Sequence, residues 1–336
     1  MLGGNALAVA DEFRYLGLLM HRSLSWAKHA RRSISAANLI AVKICRVLTQ
    51  TGPSPRVVRQ LVLSTLCPVV SYAFPVWQPQ SQALWHKLDS ALALPLRCAL
   101  GLPPSVHRLS LLFDFGVLGF QRLHQMRSVA YAGHLFRAHY SHPSQELFFA
   151  RQIQNLHLSP DHAKSRIPLT VSVSRAETDL CVKYQRVSRA ELHKAAHAAE
   201  ERELQASGLG SLFQRVRSNA QPAPYLLHDS RPVAITRARF RMNRANLNSW
   251  LFRRNAVPSA ACPKCAAPVE DADHVLLHCP AYDAARQSCH ARLAQLRVPF
   301  SVPVLLGSLD NVPKVRHREC LETSAAFVSS IKALRF

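Results

Sequence analysis

Four residues in the C-terminal third of the chain have the types and spacing of a zinc site. Cys262 and Cys265 enclose two residues, His274 follows after eight more, and Cys279 follows after a further four. Two thiolates from a tight turn, with an imidazole and a thiolate from one helical segment, can complete a tetrahedral shell. His278 is four residues beyond His274, a standard helical spacing, and is the competing fourth ligand. We prefer Cys279 as the fourth ligand. We predict that the Zn²⁺ is structural, because four protein ligands leave no position for a catalytic water.

A strongly basic segment precedes these four residues. Arg237, Arg241 and Arg244 recur at helical spacing, and Arg239 lies between them. A stripe of this kind on a helix can contact the phosphates of a nucleic acid. The alternative is a solvated charged face without a ligand. A neighbouring apolar stripe would dock the helix on the predicted zinc site, and it consists of Phe240, Leu247 and Leu251.

The overall composition also indicates an anionic partner. The 336 residues include 42 Lys and Arg against 20 Asp and Glu, which gives a formal net charge of +22. A chain so charged repels itself unless it meets anions, so RNA or DNA is the expected partner and an anionic membrane surface the competing one. No segment approaches the roughly 18 consecutive apolar residues that span a bilayer, and we predict no membrane partner. Hydrophobic residues make up 48% of the chain, which excludes wholesale disorder.

The cysteines indicate a reducing environment. Nine is an odd number, most of the nine lie far apart, and the chain is too long for a disulfide-rich miniprotein. The first residues lack the basic region of a signal peptide and are soon followed by Asp11 and Glu12. We therefore expect an intracellular protein located in the nucleus.

Helical patterns dominate the N-terminal half. Apolar residues within Leu24–Leu48 recur on one face, and Lys28 and Arg32 lie on the basic face opposite. These two cations are further candidates for nucleic-acid contacts. Prolines and a glycine end this helix, and a second one from about Pro55 to Leu66 completes a helical hairpin. Further helices are predicted at about Leu84–Leu100, onward to about His139, and from Ser188.

Short motifs at both ends of the chain occur in the order of a known family. In the C-terminal part they are the Cys/His quartet, Leu247-Asn248, Cys279-Pro280-Ala281-Tyr282 and Arg286. In the N-terminal part they are Phe13-Arg14-Tyr15-Leu16-Gly17, Leu24-Ser25-Trp26 with His29, Tyr72-Ala73 with Trp77, and Leu100-Gly101-Leu102-Pro103. The first group resembles the C-terminal zinc-binding region of reverse transcriptases from non-LTR retrotransposons. The second group is similar to the strand and helical thumb that follow the polymerase palm of those proteins.

The patterns and the resemblance together predict a mainly α fold. It consists of a helical thumb-like bundle, a partly disordered connector and a small zinc-stabilised C-terminal unit. We place the thumb-like region at 1–141 and the connector at 142–230. A basic helix and a Cys-Cys-His-Cys zinc knuckle occupy 231–290, and a helical tail occupies 291–336.

The catalytic part of that family has no counterpart in this sequence. Its polymerase chemistry is two-metal phosphoryl transfer by clustered palm aspartates, including a Tyr/Phe-x-Asp-Asp turn. This sequence contains no Asp-Asp pair. We name no catalytic residue and expect this chain alone to be inactive. Its acids occur singly and are expected to be solvated or capping carboxylates, for example Glu12, Asp114, Glu177 and Asp179.

Two functions agree with these features. The first is a nucleic-acid-binding C-terminal fragment of a retrotransposon RNA-directed DNA polymerase. It would hold template RNA or target DNA while the polymerase palm of a longer parent chain performs the chemistry. The second is a stand-alone zinc-containing nucleic-acid-binding protein, a decayed or retained copy with no enzymatic role. A third hypothesis is a peripheral membrane protein that uses the basic helix at Leu24–Leu48.

Overall fold

The chain is mostly helical, as seen in a computed structural model. The structure describes residues 10–23, 25–47, 52–138, 189–207, 211–219 and 222–332. The predicted mainly α fold class is confirmed. Most of the predicted connector, residues 142–188, lies outside the described residues, and so do Glu177, Asp179 and Ser188.

A two-stranded antiparallel hairpin comes first in the described chain. Strand β1 (Glu12–Tyr15) pairs with β2 (Leu18–His21). The two turn residues, Leu16 and Gly17, have φ values of 46° and 86°. Positive φ at both central positions gives the turn a twist that matches the right-handed twist of the strands.

The helices of the N-terminal half agree with the predicted pattern. They are α1 (Ala27–Val47), α2 (Pro55–Leu61), α3 (Cys67–Val70), α4 (Gln82–Ala99), α5 (Arg108–Phe115) and α6 (Phe120–Ala138). A π-helical turn, Val62–Leu66, joins α2 to α3. Pro55 occupies the first turn of α2, where its missing N–H leaves no helical hydrogen bond unmade. The helices predicted from Leu24, Pro55 and Leu84 correspond to α1, to α2 with its π-helical turn, and to α4.

The described C-terminal half is also helical. Its helices are α7 (Arg189–Ala206), α8 (Ser211–Val216), α9 (Pro224–His228), α10 (Arg231–Arg241), α11 (Asn248–Phe252), α12 (Asp283–Gln295), α13 (Val302–Leu305) and α14 (His317–Lys332). Shorter turns are the π-helical turn His274–His278 and the 3-10 turns Pro280–Tyr282 and Lys314–Arg316.

The described residues divide into two compact units. The first unit lies within Met1–Ala37, Pro68–Asp89 and Leu118–Glu201, and the second lies within Asn38–Cys67, Ser90–Val117 and Arg202–Phe336. This division differs from the boundaries placed from the sequence. Two segments assigned there to the thumb-like region belong to the same unit as the Cys/His quartet, because long-range packing, not sequence order, defines the units.

An aromatic cluster forms the core of the first unit. The Phe74 and Trp77 rings lie 5.3 Å apart, and Trp77 meets the His29 ring edge-on at 4.5 Å. His124 lies 5.3 Å from Phe74 and is buried. Burial lowers the pKa of His124 to about 4, so this imidazole is neutral at physiological pH and packs as part of the core.

Helix α10 is central to the core of the second unit. Its buried face includes Ala234, Ala238 and Phe240, and α14 packs against both α10 and α12. Helix α10 ends at Arg241, and Asn243 then adopts a left-handed backbone with φ of 53°. The helix therefore does not continue through Arg244, which corrects the single helical stripe expected from the sequence.

Candidate metal centre and the basic residues around it

The predicted quartet comes together in the structure. One ligand atom from each of Cys262, Cys265, His274 and Cys279 lies within 4.8 Å of every other. The Sγ atoms of Cys262 and Cys279 are 3.9 Å apart, and those of Cys265 and Cys279 are 3.8 Å apart. The Nε2 atom of His274 lies 3.3 Å from the Sγ atom of Cys265. These four residues could hold a metal ion, as predicted.

The spacing of the donor atoms fits Zn²⁺. Zinc–sulfur bonds of about 2.3 Å at tetrahedral angles place two ligand sulfurs about 3.8 Å apart. Both S···S distances in the cluster lie within 0.1 Å of that spacing. Three thiolates and one imidazole are also a donor set that zinc prefers.

Local backbone geometry positions the first two ligands. The N–H of Cys262 donates to the carbonyl of Ala267 at 2.8 Å, and the N–H of Ala266 donates back to the carbonyl of Cys262 at 2.8 Å. Ala266 has a φ of 57°, in the left-handed region. This tight turn brings the thiol of Cys265 back beside that of Cys262.

A π-helical turn positions the fourth residue of the cluster. The N–H of Cys279 donates to the carbonyl of His274 at 2.7 Å, a hydrogen bond that spans five residues. This wider turn returns the residue five positions on, Cys279, to the side of His274. The competing ligand His278 is exposed and is not part of the cluster. The structure thus brings Cys279, and not His278, into the cluster.

A buried carboxylate beside the cluster was not found from the sequence. Glu270 is 1% exposed, and its Oε2 atom accepts a hydrogen bond from the N–H of Asn248 at 2.9 Å. Its backbone carbonyl accepts from the N–H of Ser249 at 3.1 Å, and its Oε1 atom lies 3.7 Å from the Sγ atom of Cys262. Glu270 thus ties the start of α11 to the metal centre. A lone acid between two ligand pairs gives no sequence signal of this role.

The pKa values of two cluster thiols are shifted in opposite directions. Burial raises the pKa of Cys279 to about 11, whereas a backbone hydrogen bond from Ala267 lowers the pKa of Cys265. Thiolates, not thiols, bind metal ions, so loading the site displaces a proton from Cys279. The affinity for a metal ion therefore rises with pH.

The structure places Arg237 in the protein interior. Its side chain is fully buried, and its Nε atom donates to Asp229 at 2.7 Å. It also donates to the backbone carbonyls of Leu305 and Leu321 and to the hydroxyl of Ser324. The prediction that Arg237 contacts phosphates is wrong for this fold, because carboxylate and carbonyl groups of the second unit already accept from its guanidinium.

Arg241 is buried in the same way. Its guanidinium forms a two-pronged ion pair with Asp114, with N···O distances of 2.8 and 2.6 Å, and both side chains are fully buried. The Tyr225 hydroxyl donates to the same carboxylate at 3.0 Å, and the Leu306 carbonyl accepts from Arg241 at 3.1 Å. Burial alone would lower the pKa of Arg241, but Asp114 raises it, so the guanidinium stays charged. The predicted phosphate contact at Arg241 and the predicted solvated role of Asp114 are both wrong.

The other two arginines of the basic segment are partly accessible. Arg239 is half-buried and donates to the carbonyl of Gly101 at 3.2 Å. Arg244 is half-buried, donates to the carbonyls of Ser105 at 3.2 Å and Asn243 at 2.9 Å, and stacks on Trp250 with 5.4 Å to the ring centroid. Both retain the exposure that a surface contact requires.

The cations predicted on α1 lie in the first unit. Lys28 forms an ion pair with Glu12, and 54% of its side chain is exposed. Arg32 is exposed. Glu12 is therefore not simply solvated, as the sequence suggested, but neutralises one of the two candidate cations.

The sequence analysis missed three basic residues that are close in sequence to the Cys/His quartet. Arg253, Arg254 and Lys264 are exposed, and the Arg254 guanidinium stacks on Trp250 with 4.5 Å to the ring centroid. These three residues show no helical periodicity in the sequence. The adjacent pair Arg253-Arg254, shortly after Trp250, is the signal that could have identified two of them.

None of the described helices is both long and apolar enough to cross a membrane. Comparison with protein-family models, with curated proteins and with solved structures finds no match to this chain.

Proposed function

We propose that this protein binds nucleic acid through a C-terminal module held together by one Zn²⁺ ion. The observation that carries the proposal is the Cys/His cluster, whose donor atoms have tetrahedral spacing, in a chain of net charge +22. With four protein ligands the zinc is structural, and it fixes the surface on which the surrounding cations are displayed.

The cations around the cluster supply the phosphate contacts. Lys264 lies in the turn between the first two ligands. Arg253 and Arg254 come directly after the last residue of α11. The guanidinium groups of Arg244 and Arg254 both stack on the Trp250 ring. Arginine and aromatic side chains in one patch are typical of proteins that bind single-stranded nucleic acids. Arg239, Lys28 and Arg32 are proposed as additional contacts.

The finer proposal is that the chain is the C-terminal part of a retrotransposon reverse transcriptase. Its thumb-like and zinc-binding regions would hold template RNA or target DNA for a polymerase palm in a longer parent chain, in the nucleus. The motifs at both ends of the sequence and the mainly helical fold support this proposal. The alternative is a stand-alone zinc-containing nucleic-acid-binding protein. The genomic sequence upstream of the codon for Met1 separates the two, because only the first requires an open frame that encodes a Tyr/Phe-x-Asp-Asp palm.

The chain itself is proposed to have no polymerase activity. Phosphoryl transfer needs two metal ions held by clustered carboxylates. The quartet is the only group of possible metal ligands found among the described residues, and three of its four members are thiols. Primer extension on an RNA template with Mg²⁺ or Mn²⁺ checks this point, and template-dependent incorporation by the purified chain contradicts it.

Equilibrium binding tests the proposed function. Fluorescein-labelled single-stranded RNA, single-stranded DNA and duplex DNA are titrated with the zinc-loaded chain over a series of KCl concentrations. The logarithm of the affinity should fall linearly with the logarithm of salt concentration, by about 0.7 per phosphate contact on single strands and about 0.9 on duplex. No binding to any of the three, or binding indifferent to salt, contradicts the proposal.

A further inference from the structure

A polar cavity of about 460 Å³ lies in the second unit, next to the metal centre. One wall is the segment Asp271–Asp273, which leads directly into the ligand His274. The others come from the loop before α5, from α8, from the turn after α10 and from α11. The cavity lies in the size range of small-molecule and cofactor sites, about 300–1,000 Å³.

Two of the arginines that line this cavity are neutralised by carboxylates. Arg215 forms a two-pronged ion pair with Asp273, with N···O distances of 2.8 and 2.9 Å. Arg241 is paired with Asp114 in the interior. Neither of these two ion pairs has a net charge that could attract an anionic ligand.

The other two lining arginines lack such a partner. In the described part of the chain, no carboxylate lies within ion-pair distance of Arg244 or Arg253. The Nε atom of Arg253 donates to the carbonyl of Ser249 at 3.0 Å. Arg244 also donates to carbonyls, and its Nε atom is buried without a hydrogen-bond partner. The positive charges of Arg244 and Arg253 are therefore not neutralised by a carboxylate of the described chain.

The charge near Arg244 is unfavourable without an anion. Burial lowers the pKa of Arg244, and the guanidinium of Arg254, which also stacks on Trp250, lowers it further. An anion at this wall would relieve both effects. Only Asp271, among the unpaired groups of the cavity, carries the opposite charge.

The remaining lining groups suit a ligand with a polar body. Asn243, Ser105 and Ser249 offer amide and hydroxyl groups beside the two unpaired arginines. Asp271, in the segment that leads to His274, accepts from the N–H of His274 through Oδ1 at 2.8 Å. Its second carboxylate oxygen can accept from a hydroxyl or amino group of a ligand. The cavity thus offers both unpaired cations for an anion and a carboxylate oxygen for a hydrogen-bond donor.

We propose that this cavity binds one nucleotide unit of a single-stranded nucleic acid. The phosphodiester lies between Arg244 and Arg253, and the sugar or base of the same nucleotide donates to Asp271. A single phosphodiester charge matches the one uncompensated positive charge that two arginines and one aspartate leave. This inference rests on the proposed nucleic-acid binding and adds the ligand unit and its site.

Paired substitutions in the zinc-loaded full chain test the site. Arg244→Ala/Arg253→Ala should weaken binding to a labelled single-stranded oligonucleotide by about tenfold or more, since charge-assisted hydrogen bonds are lost. The salt slope should shrink by about 0.7 for each lost phosphate contact. The matched control, Arg292→Ala/Lys314→Ala, removes the same charge from exposed positions outside the cavity and should change both quantities less.

Chemical protection of the arginines gives a second, local measurement. Phenylglyoxal modifies accessible guanidinium groups, and mass spectrometry of the digested protein reports the extent at each residue. A saturating oligonucleotide should protect Arg244 and Arg253 several-fold while Arg292 is modified as before. Asp271→Asn keeps the arginines and should lower affinity without changing the salt slope.

The possible outcomes separate this inference from the proposed function. If the wild-type chain binds the oligonucleotide but the Arg244→Ala/Arg253→Ala variant binds equally well, the cavity assignment is wrong and nucleic-acid binding stands. If the wild-type chain binds no nucleic acid at all, both are wrong. Protection of Arg244 and Arg253 by free nucleoside monophosphate but not by the oligonucleotide overturns the assignment to a strand.

Discussion

Two groups of arginines in the second unit have opposite surroundings. Arg237 and Arg241, both on α10, are fully buried, and each forms an ion pair with a buried carboxylate. Arg244 and Arg253, a short distance further along the chain, have carbonyl acceptors only in the described structure. The first pair is satisfied by the fold itself, whereas the second pair retains uncompensated charge beside an open cavity.

This difference separates a structural role from a binding role within one basic segment. A buried ion pair cannot exchange its carboxylate for a phosphate without exposing a charged group to an apolar interior. An arginine at a cavity wall can accept an anion without disturbing the core. Net charge alone therefore does not identify the residues that contact a nucleic acid. Whether an arginine is available for such a contact depends on whether a carboxylate of the protein already pairs with it.

The largest expected effect is the loss of the metal ion. His274→Ala removes one ligand of the quartet and should abolish stoichiometric zinc binding, because a three-ligand site binds far more weakly. The matched variant His278→Ala alters an exposed imidazole outside the cluster and should retain one zinc per chain. Metal analysis of the purified proteins measures both. Zinc retained by His274→Ala and lost by His278→Ala would reverse the ligand assignment.

Breaking the interior pair should have the next largest effect. Arg241→Ala leaves the Asp114 carboxylate buried and unpaired, and the free energy of unfolding should fall by about 3–5 kcal/mol. Urea denaturation followed by circular dichroism measures the change. The double variant Asp114→Leu/Arg241→Met leaves no unpaired charge and should recover much of that stability. The control Arg318→Ala breaks an exposed pair with Glu322 and should leave the unfolding midpoint unchanged.

Either of two results would contradict the interior role. One is an Arg241→Ala protein as stable as the wild type. The other is a folded Arg241→Ala protein that binds nucleic acid with a smaller salt slope, since that is the signature of a phosphate contact.

Removing the aromatic ring on which Arg244 and Arg254 stack should have a moderate effect. Trp250→Ala releases the stacked guanidinium groups of Arg244 and Arg254, each contact contributing about 0.5–1 kcal/mol at an accessible site. Affinity for single strands should fall a few-fold, while the salt slope stays the same because no charge is lost. Trp250→Phe, which retains a ring, is the matched control. A Trp250→Ala protein with a reduced salt slope would show that the ring also positions a phosphate contact.

The smallest expected effect concerns the pH dependence of the cavity wall. The hydrogen bond from Arg215 lowers the pKa of Asp273 below its ordinary value of 3.8. The pair therefore adds stability above that value, and this contribution is lost as pH falls through the lowered pKa of the folded state. Titration of the Asp273 carboxyl by NMR should show its pKa rising in Arg215→Gln. An unchanged pKa would mean that Arg215 does not hold this carboxylate in solution.

The sequence was most informative where the geometry is local. The quartet lies within 18 consecutive residues, so residue types and spacing identified it, although the standard helical spacing of His278 left a competing fourth ligand. The π-helical turn that brings Cys279 into the cluster could not be predicted from spacing alone. The helices α1, α2 and α4 also followed from apolar periodicity and from prolines and glycines at their ends.

The sequence was least informative where partners are distant. Asp114 lies 127 positions before Arg241, so no local pattern indicates that the two meet in the core. The basic segment also contains Asn243, whose left-handed backbone ends α10 and turns Arg244 away from the helical stripe. The cations that stay exposed, such as Arg253 and Lys264, are identified only after the fold has removed the buried ones.

The most direct test of the central claim compares one preparation of the full chain with and without its metal ion. The affinity for a labelled single-stranded RNA is measured against KCl concentration for the zinc-loaded chain, after chelation, and after zinc is restored. Chelation should weaken binding and flatten the salt slope, and added Zn²⁺ should restore both, because the metal fixes the surface that carries the phosphate contacts. Affinity and slope that are the same in all three states would contradict the account.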